Sequence, residues 1–201
     1  MQADYSVELG ADDPALELPW QSEDGSLRYF DLRSQPELVL NITEAQNNPD
    51  LTAFLTRMNA ADFPLQTAKC DTWFSQDITP EEEIFGAHGK FAGYIDLIFV
   101  AGSSRISFEH HEWLCRTVCE LLRRVPEMSG SVEFVIRRCY YHQKEAMQAG
   151  EEHTSGFCVT ACVTGFEDSE DEARKHWTIA LTLLQNALIQ ACHGIGSGKG
   201  P

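Results

Sequence analysis

The sequence predicts an α+β domain, an antiparallel sheet of four to six strands with three helices mainly on one face. Three observations predict it. Stretches with two-residue and helical apolar periodicity follow one another in the order ββ-α-ββ-α-ββ-α. Capping residues, prolines and glycines punctuate the helical stretches. The strand-like stretches come in consecutive pairs, which suits hairpins rather than parallel crossovers.

Residues 1–19 are acidic, and Pro14 and Pro19 break any helix there, so an irregular N-terminal arm is expected. Leu27–Leu32 and Glu37–Ile42 read as short strands around the turn Arg33-Ser34-Gln35-Pro36. The first helix opens at Asn48, a good N-cap, with Pro49 at its first position and Asp50 at the positive end of the helix dipole. Leu51, Phe54, Leu55 and Met58 then repeat at helical spacing until Phe63-Pro64. Two long strands follow, Leu65–Ser75 and Phe91–Val100. In the second, Phe91, Gly93, Ile95, Leu97 and Phe99 share the core face, leaving Tyr94 and Asp96 on the other.

A second helix starts at Ser107 and stops before Pro126, with an apolar stripe through His111, Leu114, Cys115, Val118 and Leu122. Ser131–His142 and Gly156–Phe166 form the next strand pair across the polar loop Gln143–Ser155. The last helix opens on the capping box Ser169–Glu172 and runs to about His193, where Gly194 stops it. From Thr178 to Cys192 it carries no charge, so burial on two sides is expected, against a partner subunit or the N-terminal strands. The domain is thus expected over 20–194, between the acidic arm (1–19) and a flexible tail (195–201).

The run Glu37–His142 reads β-α-β-β-α-β and in that order resembles a ferredoxin-like unit extended by one strand and one helix. From Asn48 onward the order α-ββ-α-ββ-α, with the size and acidity of the chain, resembles secretion-chaperone-like dimers. Both resemblances imply an architecture and leave the activity open.

Charge narrows the partners. The chain holds 15 Lys and Arg against 31 Asp and Glu, a net charge of −16 over 201 residues. Nucleic acid and anionic membranes need a basic surface and are excluded. Residues 1–24 carry seven acids and no base, and further acidic knots lie at Asp77–Glu83 and Glu167–Glu172. Such knots are solvated surface or a dock for a basic partner. No stretch reaches the ~18–20 apolar residues of a membrane span, and the start lacks a signal-peptide pattern, so a cytoplasmic protein is expected. The seven cysteines sit in apolar segments, and Cys158 and Cys162 lie roughly 13 Å apart along one strand, too far for a disulfide. Reduced, buried thiols are expected.

Chemical motifs are sparse. The glycine-rich end fails as a phosphate loop, because His193 stands where the first glycine belongs and Gly200 where Ser or Thr belongs. His111 and Cys115 are four apart but on an apolar stripe, and no Cys-x-x-Cys occurs. Cys139 and His142 fall on opposite strand faces, and no Gly-x-Ser-x-Gly is present. No catalytic residue, metal or cofactor is therefore assigned. What stands out is charge inside strands, which needs pairing or solvent. Lys69, Asp71, Asp96, Arg138, Tyr140 and His142 are the ligand-binding candidates on an open sheet face. Cross-strand ion pairs involving these residues or Arg137 would need no ligand. Trp177, Leu181, Leu184 and Leu188 on the last helix are the partner-interface candidates. The expectation is a non-enzymatic interaction module forming a homodimer. The alternatives are a small-molecule binder or enzyme using the polar cluster, and an acidic mimic that binds a basic partner.

Overall fold

The computed structural model describes residues 1–142 and 153–196, with side chains up to His193. Residues 143–152, which make up most of the expected loop Gln143–Ser155, and 197–201 of the expected tail lie outside them. Six strands, β1 (Gln2–Glu8), β2 (Leu16–Leu18), β3 (Leu65–Ser75), β4 (Lys90–Phe99), β5 (Gly130–His142) and β6 (His153–Phe166), form one open sheet. Its order is β1-β5-β6-β4-β3, with β2 also against β5. The helices are α1 (Thr43–Asn47), α2 (Pro49–Met58), α3 (Gly102–Arg105), α4 (Phe108–Leu122) and α5 (Glu170–Gly196). The α+β class holds.

The sheet is mixed, not purely antiparallel. β3, β4, β6 and β5 pair antiparallel, but β1 and β2 run parallel to β5, end to end along its outer edge. The arm expected to be irregular thus supplies two edge strands. Met1, Ala3, Tyr5 and Val7 alternate with polar residues, the pattern of a strand with one buried face. The Met1 ammonium fixes the start by donating to the carbonyls of Val125 and Pro126, each at 3.1 Å.

Two other expected strands are absent. Leu27–Leu32 makes only an isolated bridge between Gln21 and Arg28, and Pro36–Asn41 is a 3-10 turn. Pro36 at the head of the run favours a helical start, and its apolar residues do not alternate. The ferredoxin-like order thereby loses its first strand. The order from α2 onward is as expected, with α3 added.

The helices share one face. Leu51, Phe54 and Met58 of α2, Leu114 and Val118 of α4, and Trp177, Leu181, Leu184 and Leu188 of α5 join the inward residues of β4, β5 and β6 in one core. α5 lies between α2 and α4 above the sheet. This explains its uncharged run, and the second side is closed by the chain's own helices, with no partner needed. Gly165 lets α5 approach, because an added Cβ there would run into the main-chain nitrogen of Trp177 and the carbonyl of Ala173. Gly194 does not stop α5, which continues to Gly196.

Capping differs in one place. Ser107 and Ser169 accept main-chain N–H groups from His110 (3.3 Å) and Glu172 (3.4 Å), as expected. Asn48 makes no cap. It ties three elements together, donating to the Glu44 carbonyl at 2.8 Å and Thr72 Oγ1 at 3.3 Å and accepting from Arg174 at 2.5 Å.

The opposite sheet face is half covered. Leu16, Leu18, Trp20 and Tyr29 pack over Ala68, Ile98, Cys139, Tyr141 and Cys158 as a second small core. The Trp20 indole N–H donates to the Ala68 carbonyl at 2.8 Å, and Gln66 donates to the Tyr29 hydroxyl at 3.0 Å. Residues 16–30 thus form a strap that reaches from β5 to β3. Beyond it the chain turns the β3 edge and buries Leu32 in the main core. Arg33 anchors that turn by donating to the carbonyls of Ala60 (3.0 Å) and Phe63 (2.8 Å).

Candidate functional site

The six ligand-binding candidates divide between the two sheet faces. β4 and β6 place Asp96 opposite Thr160 and Tyr94 opposite Cys162, and β3 places Asp71 opposite Tyr94. Asp71 and Asp96 therefore lie with Tyr94 on the face away from the helices, and Lys69 reaches the rings of Trp20 and Tyr94 on that side. β5 sets Val135 opposite Thr160 and Arg137 opposite Cys158, so Arg137 points to that face. Arg138, Tyr140 and His142 point to the other, which corrects the expected cluster. A one-residue change of parity moves every side chain across a strand. At that far end Arg138 donates to the Leu9 carbonyl at 2.5 Å, His142 pairs with Glu17, and Tyr140 meets the ring of His153 edge-on at 4.9 Å. These contacts tie the N-terminal segment and β6 to β5.

Asp96 is buried, with 6% of its surface exposed. The Thr160 hydroxyl donates to its Oδ1 at 2.6 Å. Burial raises its pKa, while the Thr160 hydrogen bond and the charges of Arg137 and Lys69 pull it down. Arg137 is itself held by Glu8 of β1, Nε to Oε2, at 3.1 Å.

A cleft of about 630 Å³ opens where the strap passes the β3 edge. Its lining includes Trp20 and Arg28 of the strap, Phe30, Glu44 of α1, Lys69, Cys70 and Asp71 of β3, and Tyr94 of β4. Its size lies within the usual range for small-molecule sites, roughly 300–1,000 Å³. A bulge in β3 between Thr67 and Cys70 turns Lys69 toward the cleft. Its ammonium lies 5.1 Å from the Trp20 ring and 6.0 Å from the Tyr94 ring. Arg28 lies over Phe30 at 5.7 Å. Among the described residues neither cation has a carboxylate within ion-pair distance, and the same holds for Asp71 and Glu44.

The cleft holds one thiol. Burial and the charges of Glu44 and Asp71 push Cys70 up to about 12, so it is a neutral thiol at physiological pH. Burial also raises the Tyr94 phenol, helped by Asp96 and Asp71. All seven cysteines are unpaired. His111 on α4 lies within 2.7 Å of the Ser107 carbonyl through Nδ1, and burial lowers its pKa, so it is a neutral core residue. Among the described residues no group of three or more His, Cys, Asp or Glu is placed to share a metal ion.

Sequence reasoning missed Trp20, Arg28, Phe30 and Glu44. The available signal was the large side chains Trp20, Tyr29 and Phe30 in a segment read as irregular arm and short strand, since such rings need a surface to cover. The interface candidates Trp177, Leu181, Leu184 and Leu188 are at most 1% exposed, inside the chain's own core. Much of the acidic arm is likewise engaged, Asp4 with Arg123, Glu8 with Arg137 and Glu17 with His142. At the last knot Glu170 pairs with Arg174, Glu172 with Lys175 and Asp168 with His88. Among the described residues no helix is long and apolar enough to cross a membrane.

Comparison with known proteins finds no matching family model, no matching curated protein and no matching solved structure.

Proposed function

We propose that the protein is a non-enzymatic binding module that holds a small charged molecule in the cleft between the strap and β3. The observation that carries this reading is the pair Lys69 and Arg28. Both line the cleft, both rest on aromatic rings, and among the described residues neither meets a carboxylate. Unpaired cations beside aromatic walls are the polar and apolar halves of a small-molecule site. The neutral Cys70 supports binding over thiolate catalysis.

The test is a thermal-shift panel of small charged metabolites on wild type and on Lys69→Met, both checked by circular dichroism. A compound that raises the melting temperature of wild type and leaves the variant unmoved supports the reading. A panel in which nothing stabilises wild type more than the variant refutes it.

A homodimer through the open half of the sheet is the second reading. Trp73 favours it, being 43% exposed beside Tyr94 on that face. Native mass spectrometry at micromolar concentration, with Trp73→Ser as the control, decides it. Seven unpaired thiols support a reducing compartment, the cytoplasm, as the location.

A further inference from the structure

Four charged side chains converge on the cleft, and among the described residues none of them is ion-paired. Lys69 and Asp71 are two apart on β3, yet no ion pair joins them, and the Lys69 ammonium lies against Trp20 and Tyr94 instead. Among the described residues Asp71 accepts only a local main-chain N–H, from Thr72 at 2.7 Å. Glu44 comes from α1, an element remote from both β3 and the strap in sequence. Two cations and two carboxylates have been brought to one place and left uncompensated by each other.

Resting on the cleft reading above, we propose that the ligand is a zwitterion of amino-acid type, its carboxylate on Lys69 and Arg28 and its ammonium on Asp71 and Glu44, with an apolar body against the aromatic walls. The cleft wall supplies both signs of charge from three places in the fold. Arg28 comes from the strap, where it is bridged to Gln21, Glu44 from α1, and Lys69 and Asp71 from β3, with Lys69 over the rings of Trp20 and Tyr94. The chain's net charge of −16 repels a simple anion on approach, and a simple cation meets two cations inside. A zwitterion is neutral at long range and complements both signs at short range. Phe30, Leu32 and Ile42 supply the apolar lining.

The test is calorimetric titration of the full-length protein with L-phenylalanine, 3-phenylpropionate and 2-phenylethylamine, which share one body and differ in charge. Phenylalanine is expected to bind at least about tenfold tighter than either single-charge compound. Lys69→Met should reduce phenylalanine to the level of 2-phenylethylamine, and Asp71→Asn to the level of 3-phenylpropionate. Asp71 is exposed, so its variant carries the test even where Lys69→Met fails to fold. Equal binding of phenylalanine and 3-phenylpropionate overturns the zwitterion and leaves the cleft reading in place. So does failure of all three compounds when the metabolite panel still yields a Lys69-dependent stabiliser. Failure of the panel as well overturns both.

Discussion

The Thr160 hydroxyl on β6 donates to Asp96 Oδ1 on β4 across 2.6 Å, and no other hydrogen bond reaches that buried carboxylate among the described residues. Thr160→Val should therefore cost about 1–3 kcal/mol, the desolvation penalty of a buried polar group that loses its partner. In an Asp96→Asn background the same change should cost less, because a neutral amide is easier to leave unpaired. Urea unfolding of the four proteins in a double-mutant cycle measures the difference.

Asp96 also sets a pH dependence. Its folded-state pKa is raised above the unfolded value by burial. In the window between the two values the folded state binds more protons than the unfolded state, so stability falls as pH rises through it. The stabilising contribution is complete below the unfolded carboxylate value and lost above the folded one. Asp96→Asn should accordingly match or fall below wild type at pH 4 and gain on it as pH rises through the folded-state value. Denaturation midpoints at intervals of one pH unit check this, and parallel curves for the two proteins would contradict it.

Leu184 distinguishes a core helix from an interface helix. It is fully buried between α5 and its neighbours. Leu184→Ala should lower stability by about 2–5 kcal/mol through lost transfer energy and a cavity. The folded variant should sediment as wild type does. A folded variant that sediments as a smaller species would return α5 to the list of interfaces.

Gly165 and Gly86 should respond differently to alanine. At Gly165 the new methyl meets main-chain atoms of α5, which cannot rotate away, so a loss at or beyond the upper end of the usual ~1–3 kcal/mol for overpacking is expected. Gly86 has φ of 67° and open space around it, so only the left-handed backbone is strained, at about 1–2 kcal/mol. Thermal melts of the two variants should rank Gly165→Ala well below Gly86→Ala.

The elements with local signals were legible in the sequence. Leu51, Phe54, Leu55 and Met58 announce α2, and β3 fills the stretch between Pro64 and the loop at Asp77, with the bounds the sequence suggests. β1 carries an equally regular alternation from Met1 to Glu8, but the acids among its polar positions disguised an edge strand as a solvated arm. Glu37–Ile42 failed for the converse reason, being apolar without alternation behind a proline. The candidate site was half legible. Lys69, Asp71 and Asp96 drew attention as charges inside strands; Asp71 and Asp96 do share a face, and Lys69 reaches that side. Arg138 was placed there instead of Arg137 because parity along β5 depends on its pairing with β6, a contact between segments. Trp20, Arg28 and Glu44 meet β3 only through the tertiary fold, and no local spacing reports that.

The central claim is that the cleft beside Lys69 is where this protein binds. Trp20 and Trp113 make it directly testable, because Trp20 lines that cleft and Trp113 lines a separate apolar one of about 410 Å³ near Phe63 and Phe99. The measurement is the ¹⁵N–¹H spectrum of the four tryptophan indoles, assigned by single Trp→Phe variants and titrated with the charged-metabolite panel. The account predicts that a binding compound shifts the Trp20 indole, which donates to Ala68, and leaves the buried Trp177 indole in place. Movement of Trp113 with Trp20 unmoved, or no movement of Trp20 under any compound, would contradict it.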